Sequence, residues 1–274
     1  MAHIPLRYHH WTYVWIPVAA AAMWFSTLLA MLIVWLASGR PKYVSQEGTI
    51  AYISDVGADI LKPLFVTGCA ITGVGFFLTL LTGRLLRHTG RLMPNMRRRE
   101  RVFSILAIIG SIIGACGLLF LSIFDTKRFP RAHRVFLLVF IVGVALSAIF
   151  SIIEYRWVSK DFLDQTKLRK AYIAKAVIAI ILIILAIAFG ITLFKARNVG
   201  GTSLRFSLSK SSQIIVFSAV LEWVIAFGFT FYLLSFFYDL RLSKNVERGE
   251  LKALAHPSRT NVVNGNGRQM TEIA

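Results

Sequence analysis

Residues 213–238 read QIIVFSAVLEWVIAFGFTFYLLSFFY, twenty-six positions whose one formal charge is Glu222. A hydrocarbon core about 30 Å thick takes roughly 20 helical residues to cross, so the stretch is long enough to span a bilayer. Lipid offers the backbone no hydrogen-bond partners, which leaves helices or closed barrels as spanning structures. The short alternating segments of a barrel are absent. Five more apolar stretches lie upstream, at 11–37, 64–86, 102–124, 135–155 and 171–194. The sequence therefore predicts an all-α polytopic membrane protein, a six-helix transmembrane bundle over residues 1–238. Residues 239–274 turn polar and read as a disordered cytosolic tail.

Composition agrees with this reading and excludes others. Of 274 residues 56% are hydrophobic and only 16% charged, with mean hydropathy +0.65, whereas soluble domains average about 25% charged residues. An ordinary soluble enzyme is ruled out. The net charge of +18 would, in a soluble chain, point to nucleic acid; sorting the cations by segment points elsewhere. With the N-terminus inside, the inner segments hold 20 of the 31 Lys and Arg residues and the outer loops 11. That bias follows the positive-inside rule, so both termini are expected in the cytosol and nucleic acid is not an expected partner. The first stretch could imitate a signal peptide, with Leu36, Ala37, Ser38 and Gly39 resembling a cleavage site. Its length of about 26 residues and its tryptophans, Trp11, Trp15, Trp24 and Trp35, favour an uncleaved span.

The densest charge cluster is Arg84, Arg87, Arg91, Arg97, Arg98, Arg99 and Arg101, between the second and third spans. Clusters of 4 to 8 basic residues beside a membrane helix attract anionic lipid, at about 1 kcal/mol per residue. Lys160, Lys167, Arg169, Lys170 and Lys175 form a second patch on the same predicted face. Phosphoinositides and phosphatidylserine are the expected ligands; the alternative is a purely topogenic signal.

Glu222 is the acid placed deep in a span, roughly 13 Å below the outer boundary at 1.5 Å per residue. An unpartnered carboxylate there costs at least a few kcal/mol. Its neighbours at three and four residues, Ser218, Ala219, Ile225 and Ala226, are mostly small and favour a face turned into the bundle. It serves either as a polar centre for a lipid head group or proton, or as an interhelical hydrogen-bonding group. His133, at the outer start of the fourth span, could bond Glu222 or Asp55 or face the interface. The other histidines, His3, His9, His10, His88 and His256, fall on the predicted inner side, so no metal site is expected. No cofactor motif and no nucleophile elbow occurs. Cys69 and Cys116 lie inside spans and read as packing residues rather than a disulfide. Gly110, Gly114 and Gly117 mark a close-packing helix face.

The order of these pieces resembles the FRAG/DRAM/SFK family of six-span membrane proteins. The matching segments are the aromatic start of the first span, the loop Tyr52-Ile53-Ser54-Asp55-Val56-Gly57, the stretch from Asp125 to His133, the run from Leu221 to Tyr232, and Phe237-Tyr238-Asp239-Leu240. The resemblance covers about residues 5 to 245, and the basic loop and polar tail look most similar to the fungal SFK-like branch. It implies a non-enzymatic plasma-membrane organiser that supports a phosphatidylinositol 4-kinase complex and influences lipid distribution between leaflets. Other members imply two alternatives: an autophagy modulator of lysosomal or vacuolar membranes, and a Golgi factor in GPI-anchor lipid remodelling. A lipid-modifying enzyme or transporter built on Glu222, His133 and Asp55 stands as the reading from a different class. The family supplies no catalytic residues; those three positions match only as polar sites.

Overall fold

The structure is a computed structural model that describes residues 12–89, 92, 98–161, 166–199, 205–241 and 243; for 157–161, 166–171, 196–199 and 205–212 it describes the helix alone. Most of the tail assigned to 239–274 lies outside the described residues. Among the described residues seven α-helices follow a 3-10 turn at Tyr13–Trp15: α1 (Ile16–Ala37), α2 (Ile53–Val56), α3 (Lys62–Thr89), α4 (Arg98–Ile123), α5 (Pro130–Asp161), α6 (Thr166–Val199) and α7 (Arg205–Arg241). All except the one-turn α2 are long and apolar enough to cross a membrane. Pro17 sits in the first turn of α1 and Pro130 opens α5, where a missing N–H breaks no helical bond.

The six long helices pack as a closed ring. Each touches its two neighbours in the order α1, α3, α4, α5, α6, α7 and back to α1. Lipid is as apolar as leucine, so association rests on close packing and buried polar contacts rather than on escape from water. The α4–α5 seam shows the first of these. A Cβ at Gly117 would stand 2.5 Å from the Phe140 nitrogen, one at Gly110 would stand 2.8 Å from the Ser147 nitrogen, and one at Gly143 would collide with the Gly114 backbone. Here the two helix backbones touch, and the glycine face read from Gly110, Gly114 and Gly117 is the contact. Inside the ring Phe76 meets Phe229, Tyr232 and Phe236 edge to face at 5.6–6.3 Å, a favoured aromatic geometry. Cys69 is buried, Cys116 exposed, and neither is paired.

At one end of the ring a charge network replaces hydrocarbon. Lys175 of α6 bonds Asp239 of α7, both buried. Arg87 of α3 faces Glu154 of α5 at 3.2 Å. Tyr155 lies between the pairs, its ring 4.6 Å from the Arg87 guanidinium and 5.3 Å from the Lys175 ammonium, while Lys175 also sits 3.6 Å from the Phe236 ring centre. Four helices thus meet on two cations and two anions, a balanced set that low-dielectric surroundings require. This corrects the reading of Arg87 and Lys175 as parts of a lipid-facing basic surface. Both turn inward because Glu154 and Asp239 offer partners inside the ring. Asp239, read as the first residue of a polar tail, belongs to the core of α7.

Two outcomes follow for thermal unfolding of the purified protein in mild detergent. Gly143→Val should destabilise by at least about 3 kcal/mol, since overpacking a backbone contact leaves nothing to yield, whereas Gly190→Ala, with nothing within 4 Å of its added carbon, should be neutral or slightly stabilising. Lys175→Met should cost about 3–5 kcal/mol by stranding Asp239, and adding Asp239→Leu should restore most of the loss.

Candidate functional site

The opposite end carries the predicted polar centre, assembled on one stripe of α7. Ile215, Ser218, Glu222 and Trp223 follow helical spacing and share a face. That face grips the segment between α1 and α3. The Tyr52 hydroxyl pairs with the Ser218 hydroxyl and donates to the Ile215 carbonyl at 3.3 Å. The Trp223 Nε1–H donates to the Ala51 carbonyl at 3.0 Å. The Ile53 N–H donates to Glu222 Oε2 at 2.9 Å, with the Ser54 amide beside the same carboxyl. A one-turn helix leaves its first N–H groups without internal partners. Glu222 supplies what α2 lacks.

Asp55, at the third position of α2, completes the turn by accepting from the Tyr52 N–H at 3.1 Å and from the Ser45 hydroxyl at 2.6 Å. Burial pushes its carboxyl above the ordinary value, against the two hydrogen bonds that favour the charge. Burial likewise carries Tyr52 up to about 12, opposed by its bond to Ser218. Asp125 goes the other way. Burial disfavours its charge, but Lys62 and the Arg128 N–H more than compensate and hold it below the usual carboxylate range.

His133 is 3% exposed, and its Nδ1 lies 2.8 Å from the Leu121 carbonyl and 3.0 Å from the Phe124 carbonyl. Carbonyls only accept, so Nδ1 carries a proton, and Nε2 has no hydrogen-bond partner within the described residues. Asp55, His133 and Glu222 therefore come together, each taking its hydrogen bonds elsewhere, around one polar cavity of about 420 Å³. Glu222 also lines a second, apolar cavity of about 100 Å³ inside the ring, walled mainly by α5, α6 and α7 and closed by Trp24, Phe65, Leu118 and Leu121. The carboxyl stands where polar and apolar spaces join. It bonds the first amide of the one-turn α2 rather than another membrane span.

The basic positions divide. Arg98, Arg99 and Arg101 are exposed in the first turn of α4, Arg84 is half-buried, and Arg87 is inside the charge network. Arg91 and Arg97, and the side chains of Lys160, Lys167, Arg169 and Lys170, lie outside the described residues. Sequence reasoning missed Glu154, although an ionisable residue inside a predicted span carries the same signal that drew notice to Glu222. It also missed Ser45 and Glu47, rim residues of the polar cavity with no motif to announce them.

A ring of six spans with a polar site under one loop and an ion-pair cluster at the other end defines a polytopic helical membrane protein. Residues 12–243 match the Frag1/DRAM/Sfk1/Cwh43P N-terminal domain, and the chain belongs to that family. It is 30% identical over 234 residues to Protein sfk1 of Schizosaccharomyces pombe, covering 85% of this chain and 65% of that protein. It is 30% identical over 175 residues to Protein SFK1 of Saccharomyces cerevisiae, covering 53% and 49%, so it spans less than two thirds of either relative. DNA damage-regulated autophagy modulator protein 1 of Homo sapiens is 27% identical over 143 residues, 51% of this chain and 56% of that protein. These similarities support the fungal Sfk branch. No solved structure matches the chain.

Removing the carboxyl should release the loop. Glu222→Ala should destabilise by about 1–3 kcal/mol, the penalty for leaving buried amides without an acceptor, while Glu222→Gln, which keeps one oxygen, should cost less. Thermal unfolding, with protease cleavage at residues 45–55 as the local readout, distinguishes the two.

Proposed function

We propose that this protein is an integral membrane organiser of phosphoinositide signalling and lipid distribution, acting at the plasma membrane through a basic cytosolic face. The observation that carries the reading is the placement of Arg98, Arg99 and Arg101, all exposed in the first turn of a membrane-spanning helix. The positive end of a helix dipole favours acids in that turn, so the cations bring α4 no stability. They suit an anionic surface outside the chain. With both termini in the cytosol this cluster faces the leaflet that holds phosphatidylserine and phosphoinositides, where each cation contributes about 1 kcal/mol. The face would gather anionic lipid for a phosphatidylinositol 4-kinase complex, with no covalent chemistry performed by this chain.

Similarity to a human autophagy modulator over half of the chain favours one second reading, the same membrane architecture at a lysosomal or vacuolar address. Imaging a tagged full chain separates the two addresses.

The triple variant Arg98→Gln, Arg99→Gln, Arg101→Gln should bind short-chain phosphatidylinositol 4-phosphate about a hundredfold more weakly in phosphatidylcholine nanodiscs at low salt, as three cations at about 1 kcal/mol each imply. Unchanged affinity, with normal thermal stability, would contradict the proposal.

A further inference from the structure

A third, small cavity lies at the charged end of the ring, between α3, α4, α5 and α7. Its volume is about 30 Å³, and one water takes about 10–15 Å³ by the same measure. It admits two oxygen-sized groups, and neither a sugar ring nor an acyl chain. The acids on its lining are already engaged: Glu154 faces Arg87 at 3.2 Å and Asp239 bonds Lys175.

Arg84 lines the same cavity. It is half-buried and makes no hydrogen bond or ion pair among the described residues. The charges that act on it are Glu154, Arg101 and Arg87, one anion held by another arginine and two cations. Unlike Nη1 of Arg87, none of its nitrogens is closed off. Its fork of N–H donors is therefore open, in the geometry that grips two oxygens of one anion.

Ser104 of α4 also lines the cavity and is 5% exposed. A serine inside a helix commonly returns its hydroxyl to a carbonyl three or four residues back, as Ser111 and Ser122 of the same helix do. Ser104 does not. Its hydroxyl has no partner among the described residues, and it is not sealed as the Ser151 hydroxyl on the same lining is. Arg101, three residues earlier on the same helix face, is exposed and makes no ion pair among the described residues. Glu100, one turn before Ser104, is buried outside the lining. A buried hydroxyl and a half-buried guanidinium without partners, beside a second uncommitted arginine, call for an anion with several oxygens. Two cations match a phosphomonoester, which carries a charge of about −1.5 to −2 at pH 7 and three accepting oxygens. A phosphodiester or a carboxylate brings one charge.

We propose that this cavity is the seat of one phosphomonoester, with two of its oxygens held by the Arg84 fork and the Ser104 hydroxyl and Arg101 supplying the second positive charge. The inference rests on the proposed function and deepens it: the exposed arginines gather anionic lipid by charge, and the seat tells a phosphorylated head group from the rest.

The test titrates the full chain in phosphatidylcholine nanodiscs with short-chain phosphatidylinositol 4-phosphate, short-chain phosphatidylinositol and soluble inositol 1,4-bisphosphate. Arg84→Lys keeps the charge and loses the fork, and Ser104→Ala removes a hydroxyl without altering charge, so diffuse attraction predicts no change in either. The seat predicts about tenfold weaker binding of the 4-phosphate lipid in each, the worth of one charge-assisted hydrogen bond, with affinity for the unphosphorylated lipid unchanged. Thermal unfolding checks that each variant is folded, and the serine variant keeps the test open where the arginine variant fails to fold. Soluble bisphosphate that binds as tightly as the lipid, with the same losses, assigns the seat to soluble phosphate esters; binding confined to the lipid assigns it to the head group, and either result keeps the seat. Unchanged 4-phosphate affinity in either folded variant, or an equal loss for the unphosphorylated lipid, would overturn it. Arg98→Gln with Arg99→Gln, which spares the seat, separates the two proposals: a loss there with none in the seat variants leaves the basic face standing alone, and the reverse leaves the seat without the face.

Discussion

One carboxyl holds the upper end of this molecule together. Glu222 lies within the last span, where an isolated charge is costly, and α2 is a single turn whose amides have no partners of their own. Each solves the other's difficulty through the Ile53 N–H at 2.9 Å. Because Tyr52, Ala51 and Ile53 are all bonded to the same face of α7, the segment between α1 and α3 lies down over the ring. Asp55 is then positioned by Ser45 and Tyr52, and the polar cavity with His133 on its wall exists because that segment is fixed.

The other end obeys a different constraint. There Arg87, Glu154, Lys175 and Asp239 draw α3, α5, α6 and α7 together by charge, with Tyr155 as a shared apolar and π-bearing wedge. A ring pinned at both ends by polar contacts can leave its middle loosely packed along one seam. That seam is α5–α6, and the apolar cavity lies beside it. The α4–α5 seam, closed by Gly110, Gly114, Gly117 and Gly143, is its tight counterpart.

Six spans were legible because the bilayer imposes a length on every helix. The stretch predicted at 64–86 is Lys62–Thr89 in the structure, and 171–194 is Thr166–Val199. Helix ends ran past the apolar stretches since backbone bonding continues into the polar interface. Asp55, His133 and Glu222 were legible as polar positions in the first outer loop, at the outer start of a span and inside a span, and they line one cavity. What sequence could not give was pairing. Arg87, Lys175 and Asp239 sit near span ends, where a charge is equally at home in water, and only the ring shows that each has an opposite charge facing it. The role of Glu222 as an acceptor for the first amide of α2 was equally hidden, because nothing in Tyr52-Ile53-Ser54-Asp55 announces that its first amides need a distant acid.

The central claim is that Glu222 fixes the segment between α1 and α3 to the last span by accepting from the first amide of α2. An experimental density map of the full chain in lipid nanodiscs tests it most directly. The account predicts the Tyr52–Asp55 turn seated on α7, with the Ile53 amide on the Glu222 carboxyl and the Trp223 indole on the Ala51 carbonyl. A structure in which that turn stands clear of α7, with the Glu222 carboxyl bonded elsewhere, would contradict it.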